Sequence, residues 1–193
     1  KPIDEAALDS FTAEVIQLGN QLIAHRHDLM PALVPRIQAA HKRIAPNGEE
    51  LRIELIPSVK KDFTAELELT GDRERKNGAT IIGPHRDEIA LLLHDRSAAD
   101  YASEGQKRTI AIALKIAQAE HLTEIHGAPP VLLIDDVMGE LDEHRRQGFL
   151  PLLEKCGSGR GQVFMTCTEE NWPQNLSKVL QRWKIHNGTL QPC

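Results

Sequence analysis

Aromatic side chains are scarce: Phe, Tyr and Trp together make up 4% of the 193 residues. The core must therefore rest on Leu, Ile, Val and Ala. Cysteine is scarcer still. Cys156, Cys167 and Cys193 are odd in number and follow no metal-ligand spacing, so a reduced intracellular compartment is the simplest reading. Positive charge is not in excess, with 23 Lys and Arg against 28 Asp and Glu and a formal net charge of −5. This excludes a chain wrapped in positive field for constitutive nucleic-acid binding, although not a local basic face. No apolar run reaches membrane-spanning length, and no charged-then-apolar leader opens the chain. The chain starts at Lys1 with no initiator Met, which raises the expectation of further sequence upstream. What remains is ordinary for a globular protein: 40% hydrophobic and 26% charged residues, enough for one substantial core or two small ones.

The first forty-odd residues read as helical. Leu8, Phe11, Val15, Leu18, Leu22, His25 and Leu29 recur three and four apart, and Ile16, Ile23 and Met30 widen the stripe on one side. Pro31 and Pro35 are expected to end or kink this helix, and Leu33, Ile37 and Ala40 suggest a second one running to about Ile44. A helical hairpin packed on the core is the simpler reading, and a protruding arm for partner contact is the sharper one. Pro46-Asn-Gly48 reads as a turn. Leu51–Ile56 alternates as a short strand, and residues 61–76 read as a helix, although Phe63–Leu69 would also suit a strand. Thr80–Ile82 and Glu88–Leu93 read as strands flanking Gly83-Pro-His-Arg-Asp87. From Ser103 the pattern becomes α/β: a helix over Arg108–Leu122, an apolar strand Val131–Ile134 suited to a sheet covered on both faces, a helix over Glu143–Leu153, a strand ending at Met165, a helical stretch Trp172–Leu180, and an edge strand Arg182–His186 before an Asn187-Gly188 turn.

Three segments carry chemistry. Val131-Leu-Leu-Ile-Asp-Asp136 delivers two acids at the C-terminal end of a strand, as in the second nucleotide element of P-loop ATPases. There Asp135 would hold the Mg²⁺ that bridges the β- and γ-phosphates, and Asp136 would face the attacking water. The bland alternative is a core strand whose acids cap the next helix. In Ser103-Glu-Gly-Gln106, Ser103 and Gln106 form a capping box, and the same helix start offers free N–H groups, a hydroxyl and a glycine of close approach that together can hold a phosphate. Gly139-Glu-Leu-Asp142 follows within a few residues.

A phosphate-type helix start, a spacer helix, a strand ending in Asp-Asp and then Glu140-Leu-Asp142 is the order of the C-terminal half of an ABC-type ATPase. Gly83-Pro-His-Arg-Asp87, Ser103-Glu-Gly-Gln-Lys-Arg108, Leu133-Ile-Asp-Asp-Val137, Glu140-Leu-Asp142 with Arg145-Arg146, and Gly161-Gln-Val-Phe-Met-Thr166 together resemble the RecF family of bacterial recombination mediators. The resemblance implies an α/β fold, the signature-bearing half of a P-loop ATPase with a parallel sheet, preceded by a helical arm and small lobe over residues 1–102, with the ATPase part over 103–193. It implies a weak, DNA-stimulated, cytoplasmic ATPase that uses ATP and Mg²⁺ and dimerises on ATP. Its partners would be DNA at single-strand/duplex junctions and the RecO and RecR mediators, with no membrane. By the family pattern, Ser103, Gly105 and Gln106 would contact the γ-phosphate of ATP held mainly by the opposite subunit. Glu140-Leu-Asp142 would cross the dimer interface, Asp142 foremost.

Three departures qualify this. Where most ABC ATPases place a His after the strand, the stretch is Thr166-Cys-Thr168, so Thr166 or Thr168 would meet the γ-phosphate with a hydroxyl. Asp136 in place of Glu shortens the reach toward water by one methylene, which also fits a slow enzyme. More consequentially, nothing matches Gly-x-x-x-x-Gly-Lys-Ser/Thr, and Gly157-Ser-Gly-Arg-Gly161 is followed by a strand and reads as a loop. Without those amides and that Lys, negligible ATP affinity is expected of this chain alone. His25-Arg-His27 reads as a helix-surface pair, not a metal site. His85 and Arg86 share a Pro-rigidified loop that either functions directly or stabilises the lobe. Lys60-Lys61, Arg73, Arg75-Lys76 and Lys107-Arg108 are candidates for a DNA-facing surface. The competing readings are another ABC-class chromosome protein and a non-enzymatic interaction module.

Overall fold

The structure is a computed structural model that describes residues 5–45, 48–157, 161–168 and 181–192. The expected turn at Pro46-Asn-Gly48, the glycine cluster 157–161 and the helix Trp172–Leu180 fall wholly or partly outside the described residues.

Helix α1 runs from Glu5 to Ile44 without a break, through both prolines. The expected hairpin does not form. Each proline removes one helical N–H donor, but both lie on the exposed side, while Ile37, Ala40 and Ile44 just beyond them are fully buried. Packing of that face against α4 holds the helix through the gap. The buried stripe also differs from expectation. Ile16, Gly19, Ile23 and Met30 face the protein, whereas Phe11, Val15, Leu18, Leu22 and Leu29 are exposed. The two stripes are offset by one residue, and the smaller one carries Gly19, whose lack of a side chain lets the Phe63 ring lie against the backbone.

Strand β1 (Leu51–Ile56) alternates buried and exposed residues and pairs antiparallel with β2 (Glu88–Leu93), Leu51 opposite Leu93 and Ile56 opposite Glu88. Between them lies helix α2 (Phe63–Asn77), so this ambiguous segment is helical. Asp62 caps it by accepting from the Ala65 N–H at 2.8 Å, and Gly78 ends it at φ 63°. Phe63 and Leu67 then pack with Val59, Ile16, Ile23 and Ile82 into a small second core. Residues 80–82 form no strand: the Ile81 N–H is satisfied by the Glu74 carboxylate at 2.8 Å instead of a ladder partner. A tight turn with His94 and Asp95 at φ 49° and 62° leads to the two-residue strand β3 (Arg96–Ser97) and the short helix α3 (Ala98–Tyr101).

Helix α4 (Glu104–His126) has a complete Ser103–Gln106 capping box and ends on Gly127 at φ 66°. Its face of Thr109, Ile110, Ile112, Ala113, Ile116 and Ala117 is the floor of the main core, into which α1, β1, β2, β4 and α5 all contribute. Strand β4 (Val131–Ile134) pairs in parallel with β5 (Gln162–Met165), joined by a 3-10 turn at Met138–Glu140 and helix α5 (Glu143–Gly157). This strand–helix–strand unit is the α/β architecture expected. Only one sheet face is covered among the described residues: Leu132 is buried, while Leu133 and Phe164 are 76% and 58% exposed. Strands β6 (Trp183–His186) and β7 (Thr189–Pro192) form a hairpin about Asn187-Gly188. No helix of the described residues is long and apolar enough to cross a membrane.

Candidate functional site

The candidate residues fall into two groups. The first lies at the C-terminal end of β4, the end of a parallel strand where ligands of open α/β sheets bind. Asp135 and Asp136 are both exposed there. β5 ends beside them, so Thr166 is hydrogen-bonded to the same corner: its N–H donates to the Ile134 carbonyl at 2.9 Å and its hydroxyl donates to an Asp135 carboxylate oxygen. The Asp136 N–H donates to the Thr166 hydroxyl at 3.0 Å and to the Thr166 carbonyl at 3.2 Å. Asp136 takes φ 48°, a left-handed conformation that Asp and Asn tolerate better than other side chains. Thr166 brings its hydroxyl to both acids. Thr168 lies two residues further on, also exposed. Among the described residues no group of three or more His, Cys, Asp or Glu side chains forms a metal cluster. One carboxylate beside a hydroxyl nevertheless suits Mg²⁺, which is commonly held through one or two carboxylates with the rest of its shell from phosphate oxygens and water.

The second group surrounds the start of α4. Ser103 is exposed; Gly105 and Gln106 are half-buried. The Ser103 N–H donates to Gln106 Oε1 at 2.9 Å, and the Gln106 N–H donates to Ser103 Oγ at 3.3 Å. Asp142 caps α5, accepting the Arg145 N–H at 2.9 Å on one oxygen and the Arg145 guanidinium on the other. The Arg145 N–H, reinforced by its guanidinium, holds the Asp142 carboxyl below the usual carboxylate range. Arg145 also reaches the Thr109 hydroxyl and Glu49, both at 2.9 Å. The loop before Asp142 is pinned from below by Met138 and Leu141, 0% and 2% exposed, which leaves Gly139 and Asp142 outward.

No family model matches the chain. Curated proteins named DNA replication and repair protein RecF do. That of Lactococcus lactis subsp. lactis (strain IL1403) is 32% identical over 189 residues, covering 98% of this chain and 52% of that protein. That of Moorella thermoacetica is 34% identical over 187 residues, covering 95% and 49%. A solved structure of the recombination mediator protein RecF with ATP, described within the RecFOR pathway, superposes on all of this chain and 52% of its own with a TM-score of 0.75 at 27% identity. The chain is related to RecF and corresponds to its C-terminal half. It spans about half the length of the curated relatives it matches. The fold is accordingly the signature-bearing half of an ABC-type ATPase.

Within this RecF-like half, the Gly83–Asp87 motif works as an anchor. Arg26 of α1 donates to Asp87 at 2.6 Å and to the Pro84 carbonyl, Asp87 also accepts the Ser58 N–H at 2.9 Å, and the Ser58 hydroxyl donates to the Gly83 carbonyl at 2.7 Å. His85 and Arg86 remain exposed, both against the Thr80 carbonyl. Arg26 thus leaves the His25-Arg-His27 triplet inward while both histidines stay on the helix surface. Sequence reasoning missed Arg26, Glu49 and Thr109 as parts of these networks. Arg26 and Thr109 signalled only by charge or polarity on the inward side of a helix, and Glu49, in a connection between exposed Gly48 and Glu50, gave no signal.

Proposed function

We propose that this chain is the signature half of a RecF-type, ATP-controlled DNA-repair protein that dimerises on ATP and helps load recombinase at gapped DNA. The observation that carries this reading is the pair Asp135 and Asp136 at the open end of a parallel strand, held in place by Thr166 of the neighbouring strand. In this reading Asp135 would hold Mg²⁺, which would supply positive charge against the phosphates of ATP. Asp136 orients the attacking water, with Thr166 or Thr168 in the place of a γ-phosphate-sensing His. Ser103, Gly105 and Gln106 face the γ-phosphate of ATP held mainly by the opposite subunit, and Asp142 reaches across the dimer. Residues 1–102 serve as arm and small lobe, residues 103–193 as the ATPase part. DNA at single-strand/duplex junctions and the RecO and RecR mediators are the partners, in the cytoplasm. The similarity to DNA replication and repair proteins RecF, and to a RecF bound to ATP in the RecFOR pathway, supports the class.

Asp136→Asn in the full-length protein tests the central role. Asn tolerates the left-handed φ of 48° as Asp does, so the substitution removes charge without forcing the backbone. Hydrolysis should fall by roughly two orders of magnitude, the usual worth of a positioned general base, while ATP-dependent dimerisation persists. Unchanged turnover rejects the role and favours a non-catalytic module. The isolated chain should bind ATP negligibly, and a low-micromolar Kd by titration calorimetry would contradict that.

A further inference from the structure

Glu49 belongs to no motif. It lies in the connection between α1 and β1, and its side chain is 12% exposed, as is that of Arg145. One Glu49 carboxylate oxygen accepts from Arg145 Nη2 at 2.9 Å and from Gln106 Nε2 at 3.4 Å. The same guanidinium donates through Nε to the Thr109 hydroxyl at 2.9 Å and through Nη1 to Asp142. Thr109 passes its own proton to the Gly105 carbonyl at 2.8 Å, which ties the guanidinium to the first turn of α4 as well. An unbroken run of hydrogen bonds therefore leads from Ser103 through Gln106, Glu49 and Arg145 to Asp142. Three of the five guanidinium N–H donors are engaged, one on each nitrogen, a geometry a point charge cannot reproduce. The other Glu49 oxygen has no hydrogen-bond partner and faces His41 Nε2 at 3.9 Å, so the carboxylate is hydrogen-bonded only within this Gln106–Glu49–Arg145 strap.

We propose that Glu49 and Arg145 are positioning residues that couple the phosphate-facing start of α4 to the loop ending at Asp142. The functional half of this inference rests on the ATPase reading above. Binding of a γ-phosphate at Ser103 and Gln106 draws on the capping box, the capping box is pinned through the Gln106 side chain to Glu49, and Glu49 fixes the guanidinium that fixes Asp142. A shift at either end is felt at the other.

The test uses the full-length protein with residue-resolved amide exchange, ATP affinity, ATP-dependent dimerisation and turnover. Glu49→Gln keeps shape and removes charge. Arg145→Lys keeps charge and removes the fork. Each should speed exchange of the Ser103 and Gln106 amides about tenfold, leave amides from Ile112 to Ala119 unchanged, and leave ATP affinity within about twofold, while kcat and dimerisation fall about tenfold. Unchanged exchange at Ser103 and Gln106 in both variants overturns the strap whatever the activity does. Uniform acceleration along α4 overturns it too, since that is general loosening. Faster local exchange with full turnover, in a protein where Ser103→Ala abolishes turnover, overturns the coupling. If Ser103→Ala itself retains turnover, the ATPase reading has failed, and the exchange result alone decides whether the strap exists.

Discussion

His41 is 1% exposed, and its surroundings decide its charge. Burial disfavours the imidazolium and the Arg145 guanidinium adds to that; Glu49 opposes both without reversing them, so the His41 pKa lies below the usual value. The unfolded chain then takes up a proton near pH 6.5 that the folded chain refuses. Stability is fully present above that pH and falls as pH drops toward the folded value, by up to about 1.4 kcal/mol per pH unit. The Asp142 carboxyl works in a separate window, since its lowered pKa adds stability above about pH 4 and loses it only in stronger acid. Denaturant midpoints measured between pH 7 and 5 should therefore fall for the natural protein and flatten for His41→Gln. Parallel pH profiles would remove His41 from the account. At this scale the sequence was unevenly legible. Ser103, Asp135, Asp136 and Asp142 announce themselves because each sits in a short local pattern. Glu49 cannot, because its partners Gln106 and Arg145 are 57 and 96 residues away along the chain.

At the scale of elements, the α/β half was readable because its strands and helices each carry one period, and α4 carries both of its caps in sequence. Helix α1 was not. It has two apolar stripes one residue apart, and only the partner surface selects between them. Prolines at 31 and 35 weaken a helix in isolation, but packing of Ile37, Ala40 and Ile44 outweighs two missing hydrogen bonds. The end of α1 also explains a glycine inside α5. A Cβ built on Gly148 would stand 2.2 Å from the Arg43 carbonyl oxygen and 2.9 Å from the Ile44 Cα. Both are backbone atoms of a buried helix end and cannot swing aside. Ala is the better helix former by about 1 kcal/mol, so on propensity alone Gly148→Ala should stabilise α5. Overpacking should win instead, with a net loss of about 1–3 kcal/mol measured by chemical denaturation. A variant as stable as the natural protein would mean that α5 does not cross α1 this closely.

Among the described residues one main core is fed from almost every element, and the sheet of β4 and β5 has a face that does not match its sequence. Val131–Ile134 is apolar without alternation, the pattern of a strand buried on both faces, yet Val131 and Leu133 are 57% and 76% exposed. Leu133 lies directly opposite Phe164 in the parallel ladder, and both point to the bare side. The covered side faces the core through Leu132, Ile134, Val163 and Met165. Substitution on the two faces should therefore separate cleanly. Leu133→Lys with Phe164→Lys in this chain should leave helix content and the denaturation midpoint within about 0.5 kcal/mol, as for other exposed positions, and should reduce binding of a hydrophobic dye. In a protein of the relatives' full length the same pair should cost several kcal/mol, because each ammonium would then be carried into a covered sheet face without a partner. Equal tolerance in both contexts would mean that this face stays open to solvent in the longer protein as well. The apolar run ending in Asp135-Asp136 would then owe its composition to the strand alone.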